Sequence, residues 1–78
     1  MKIKFTKHAE EMLVFRKIKR ELVVEAIDKP DDKSKGDGDK QVLYKNFGKN
    51  NLKVVIVKEK NEVVVITEHW IAKKRVKK

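Results

Sequence analysis

Apolar and polar positions divide the chain into a helical front half and a β-branched back half. Lys2 to Phe5 alternates around Ile3 and Phe5, which predicts a short first strand. From Thr6 the period lengthens. Thr6 is placed to cap a helix, its hydroxyl accepting a free backbone N–H, and the helix should fade between Arg16 and Ile18. A second helix, Lys19 to Asp28, carries Leu22, Val23, Ala26 and Ile27 on one face of a polar segment. Pro30 ends it, and Lys29 before the proline is biased out of the helical region.

Asp31 to Asp39 holds two glycines, four aspartates and no apolar side chain, and is expected to be a flexible solvated loop. Its spacing lacks the ligand pattern and closing glutamate of a calcium loop. Gln41–Phe47, Leu52–Lys58 and Glu62–Glu68 are then predicted as strands, with turns at Gly48–Asn51 and Lys60–Asn61. A two-residue turn at Lys60–Asn61 sets Val57 opposite Val64, Val55 opposite Ile66 and Lys53 opposite Glu68. The order β-α-α-β-β-β describes a small α+β domain, two N-terminal helices packed on one face of a curved antiparallel sheet. Residues 1–72 form this single domain, and residues 73–78 are a basic tail.

The first helix breaks its own pattern. At about 100° per residue, with His8 at the origin, Met12 falls near 40°, Arg16 near 80°, Ala9 near 100°, Leu13 near 140° and Phe15 near 340°. The imidazole and the guanidinium therefore lie within the apolar arc of Phe15, Met12, Ala9 and Leu13. Lys7, Glu10, Glu11 and Lys17 occupy the other side. A charge on an inward arc needs a partner or a wet cleft, because burying it alone is costly.

Composition narrows the classes. The 78 residues allow one core, and cysteine is absent, which removes disulfides and thiol catalysis. No apolar run is long enough for a signal or membrane segment, so the chain is expected to be cytoplasmic. Abundant Lys, Glu, Val and Ile lean towards a thermophilic source. A net charge of +9 favours a polyanion, nucleic acid first. Without the five cations of the tail, 16 basic residues still face 12 acidic ones.

Several of these positions carry a likeness. Phe5-Thr6-x-His8-Ala9-x-x-Met12-x-x-x-Arg16-x-Ile18 opens it, followed by Glu21-x-Val23-x-x-Ala26-Ile27-x-x-Pro30-Asp31. Tyr44-Lys45, Leu52-x-Val54-Val55-Ile56-Val57 and Val65-Ile66-Thr67 continue it. Together they resemble a domain-of-unknown-function family related to the BrnT toxins, within the RelE-like group. The resemblance implies a RelE-like α+β fold. It also implies a metal-independent endoribonuclease of a toxin–antitoxin system, acting on RNA either free or ribosome-associated, with an antitoxin as protein partner. The chain departs from the family pattern at Glu11, where an arginine often stands, and at Lys17, where glycine commonly precedes the isoleucine.

Such cleavage needs a group to take the 2′-OH proton, a cation for the developing charge and an acid for the leaving 5′-oxygen. His8 and His69 are the imidazoles available, Arg16 can grip a phosphate bidentately, and Lys45 is a second phosphate candidate. The catalytic candidates are thus His8, Arg16 and Lys45. Tyr44, Glu68, His69, Trp70 and Lys73 are candidates for nucleic-acid contact, Tyr44 and Trp70 by stacking on bases. Structural roles stand beside these. His8 can hold the strand–helix junction, Arg16 can bridge to Glu68 or close its helix, Glu68 can pair with Lys53, and Trp70 can plug the core. No metal or other cofactor is expected, since the two histidines are far apart and no ligand set is clustered. A non-catalytic nucleic-acid-binding or protein-interaction module with the same fold is the alternative.

Overall fold

The computed structural model describes residues 2–72, which form β1 (Lys2–Phe5), α1 (Lys7–Phe15), α2 (Arg20–Asp28), β2 (Asp32–Lys35), β3 (Lys40–Asn46), β4 (Asn50–Glu59) and β5 (Glu62–Ala72). Thr6 caps α1 as its position predicts, its Oγ1 accepting from the Ala9 N–H at 3.1 Å. The other end closes through two backbone bonds, Ile18 N–H to Leu13 O at 2.8 Å and Lys17 N–H to Val14 O at 3.2 Å. This is a Schellman closure. It requires a left-handed residue after the cap, and Lys17 supplies it at φ 52°. A lysine in that conformation carries a steric cost that glycine avoids. Ile18 and Leu13, brought together by the closure, are both buried.

Among the described residues two helices and five strands make an α+β fold, and the sheet is mixed, in the order β1-β5-β4-β3-β2. Two expectations are corrected. The sheet is not wholly antiparallel, because β1 runs parallel to β5, with Phe5 paired to Val65. The 31–39 loop contains a strand: β2 pairs antiparallel with β3, although all four of its residues are exposed. Backbone pairing alone forms it, and Gly38 at φ 61° supports the turn into β3.

The β4–β5 hairpin starts in the expected register, Val57 opposite Val64. Beyond Ile56–Val65 the register shifts by one residue, so that Val55 meets Thr67, Val54 meets Glu68 and Lys53 meets His69. Ile66 is the extra residue of a β-bulge. The bulge turns Glu68 to the helix-facing side and leaves Thr67 and His69 on the other. The expected pairs Val55–Ile66 and Lys53–Glu68 are therefore replaced.

Ala9 and Leu13 of α1 and Val23 and Ala26 of α2 share one core with Leu43, Leu52, Val54, Ile56, Val63 and Val65. Both helices thus lie on the same face of the sheet, and no described helix covers the other. Phe15 departs from the expected arc, standing 76 % exposed, so the buried stripe of α1 is narrower than the apolar pattern suggests. No described helix is long and apolar enough to cross a membrane.

Candidate functional site

Pairing between β1 and β5 ends at Phe5–Val65, while β5 continues to Ala72. The stretch from Ile66 onward therefore has a side that no described strand pairs, and α1 lies against it. Thr6 bonds there twice, its N–H to Val65 O at 3.1 Å and its hydroxyl to Ile66 O at 3.3 Å. In the first turn of the helix, exposed His8 sets Nε2 3.4 Å from Thr67 Oγ1. At the far end, Arg16 donates from Nη1 to Glu68 O at 3.0 Å. His8, exposed where the pattern places it on the inward arc, and half-buried Arg16 thus reach the end of β5 beyond β1 from the two ends of α1.

On the uncovered face, the register builds a row across three strands. His69 of β5 is opposite Lys53 of β4, and Lys53 is opposite Tyr44 of β3. All three are half-buried. Thr67 and His69, two residues apart on one strand, lie about 7 Å from each other along the same face. His8, at Thr67, and His69 therefore flank one short stretch of strand. Burial lowers the His69 pKa, and the charges of Lys53 and Arg16 lower it further. The ring is accordingly neutral near pH 7, the form that accepts a proton.

Glu68 is the anomaly. Its side chain is fully buried, and neither carboxylate oxygen has a hydrogen-bond partner among the described residues. Burial drives its pKa up to about 7; Glu10 adds to the rise, while Arg16 and Arg20 oppose it. Arg16 bonds the main-chain oxygen of Glu68 and forms no direct ion pair with its carboxylate. Arg20 is held elsewhere, 2.6 Å from Glu10 and 4.7 Å above the Phe5 ring.

The remaining candidates are dispersed. Lys45 faces the helix side from β3, its Nζ 3.9 Å from Asp31, with β4 between its strand and the β5 edge. Trp70 packs on the core, edge-on to Phe47 with ring centroids 6.2 Å apart. Lys73 lies outside the described residues. Among the described residues no three His, Asp or Glu side chains gather where a metal could be held. Lys53 and Thr67 join the site although the sequence did not single them out for it. Their signal was strand pairing, and the bulge at Ile66 conceals it.

A family model described as a domain of unknown function, DUF4258, matches residues 5–67. The match takes in His8, Arg16, Tyr44, Lys45, Lys53 and Thr67 and stops short of His69. No curated protein and no solved structure matches the chain.

Proposed function

We propose, for a chain that belongs to the DUF4258 family, a toxin-like function: metal-independent cleavage of single-stranded RNA laid on the uncovered sheet face and the unpaired end of β5. The resemblance to BrnT-related, RelE-like toxins motivates the reaction class. The single observation that supports its location is the convergence of His8, Thr67, His69 and Arg16 on one strand end, beside the Lys53–Tyr44 row. In this reading neutral His69 takes the proton of a ribose 2′-OH. The freed oxygen attacks the adjacent phosphorus, a 2′,3′-cyclic phosphate forms, and the bond to the 5′-oxygen breaks. His8 gives that leaving oxygen its proton. Arg16 and Lys53 face the phosphate charge, and Tyr44 offers a ring for a base. Lys45, tied near Asp31, contributes only to the field of the molecule.

Incubating the protein with single-stranded RNA in a chelator tests this. Wild type is expected to cleave, and His8→Gln and His69→Gln each to slow cleavage by about 10²- to 10⁴-fold, the usual contribution of a positioned acid or base. Equal cleavage by all three proteins would overturn the assignment.

The Arg16 bond to a main-chain oxygen favours a second reading, in which α1 merely closes the open strand and the face binds RNA without cutting it. RNA that stays intact while binding weakens with salt would select that reading. A toxin role also implies an antitoxin, and a small protein co-purifying with the chain from its native host would support it.

A further inference from the structure

One buried titratable group takes no part in the cleavage described above. The bulge at Ile66 turns the Glu68 carboxyl to the helix side of the sheet, where both oxygens are buried without a hydrogen-bond partner among the described residues. Val54, opposite it on β4, and Leu43 beyond on β3 are buried and apolar. The charged groups whose fields reach it come from the helices: Glu10 of α1, Arg16 at the α1 cap and Arg20 at the start of α2.

Of these, Arg16 is the one placed to answer a charge on Glu68. Arg20 is held by both oxygens of Glu10, at 2.6 and 3.4 Å, and lies over the Phe5 ring. The Arg16 guanidinium has a single partner among the described residues, the main-chain oxygen of Glu68 at 3.0 Å. Its backbone is fixed at the helix cap, N–H to Met12 O at 2.9 Å, which leaves the half-buried side chain to move. A guanidinium resting on the main-chain oxygen of a glutamate lies within a side-chain rotation of that glutamate's carboxyl.

We propose that Glu68 is a positioning residue for Arg16: neutral, it leaves the guanidinium at the strand end facing a bound phosphate, and ionised, it draws the guanidinium inward into a buried ion pair. The part played by phosphate rests on the RNA reading above, whereas the movement of Arg16 does not. A buried carboxylate alone is costly, and pairing with Arg16 offsets that cost. Burial pushes the carboxyl pKa up to about 7, so the changeover falls near neutrality. Below that value the proton is on and Arg16 faces outward; above it the proton is off and Arg16 is drawn in. By linkage, a phosphate that occupies Arg16 takes a favourable field away from the carboxylate, so RNA binding takes up a proton.

The side-chain N–H signal of Arg16 in NMR spectra of the full chain, identified by its loss in Arg16→Lys, reads the movement without RNA. In wild type it should shift together with the Glu68 carboxyl carbon, with a midpoint near pH 7, and in Glu68→Gln it should stay fixed. Affinity for a 2′-O-methyl RNA, which lacks the attacking hydroxyl, reads the consequence. Wild type and Glu68→Gln should bind it alike at pH 5.5, and wild type should bind about tenfold more weakly at pH 8.5, as one charge-assisted contact is lost. His8 and His69 are present in both proteins, so the ratio isolates Glu68. In an Arg16→Ala background that ratio should fall to about one, because the effect runs through Arg16. An Arg16 signal that does not follow the Glu68 carbon with pH, or a ratio that persists without Arg16, would overturn the proposal. An Arg16 signal that follows pH in a protein that binds no RNA would uphold the movement and remove the RNA reading instead.

Discussion

Glu68 and Lys17 each hold a conformation or charge state that the surrounding fold makes costly. For Glu68 the sign is fixed by a folded-state pKa of about 7 against an ordinary 4.5. Between those values the native state holds a proton that the unfolded chain has released. This carboxyl therefore lowers stability as pH rises from about 4.5 to 7, and its effect is flat outside that window. The penalty above pH 7 is of order 3 kcal/mol. Urea unfolding at pH 5 and pH 8 checks it: Glu68→Gln should gain stability over wild type at pH 8 and lose most of that gain at pH 5. An identical difference at both pH values would show that the carboxyl ionises freely. Lys17 makes the opposite kind of test. Its φ of 52° suits glycine, so Lys17→Gly should stabilise the protein by about 0.5–1 kcal/mol, with a melting point several degrees higher. Lys17→Ala, which keeps a Cβ, should bring no such gain.

Among the elements, the hairpin of β4 and β5 was legible and its bulge was not. Density of Val and Ile with a polar turn identifies two long strands, and the pairing of Val57 with Val64 follows from turn length. Val63 through Ile66 are all β-branched, so alternation is silent where the strand gains a residue. Glu68 was consequently expected beside Lys53 and is buried instead. β2 leaves no hydrophobic pattern because it buries no side chain, and the parallel course of β1 is silent because Ile3 and Phe5 fix a face without fixing a direction. His8 and Arg16 were legible as polar groups within an apolar arc. Their contacts with Thr67 and the main chain of Glu68 were not, since these depend on the bulge and on where β1 stops. Thr6 joins these features, capping α1 while donating to the bulged Ile66. Thr6→Ala should therefore cost about 1–2 kcal/mol, the upper range for a lost cap, whereas Thr6→Ser should keep both bonds and most of the stability. Thermal unfolding of the two variants separates the hydroxyl from the methyl.

At the scale of the molecule, charge and architecture make different predictions about nucleic acid. A net charge of +9 attracts any polyanion at low salt. Attraction through net charge alone is indifferent to which lysine is removed, whereas an RNA-binding face is not. Lys53 stands on the uncovered face between Tyr44 and His69, and Lys58, five residues along β4, faces the helix side and lines a groove beside α2. Lys53→Glu and Lys58→Glu change the net charge equally. Measured against a single-stranded RNA across a salt series, Lys53→Glu should weaken binding and reduce the log–log slope by roughly 0.7, as one phosphate is no longer neutralised. Lys58→Glu should leave the slope near that of wild type. Equal losses in the two variants would mean that the field of the whole chain, and not the open face of its sheet, holds the RNA. The role of His8 and His69 as a catalytic pair would then lose the substrate placement on which it rests.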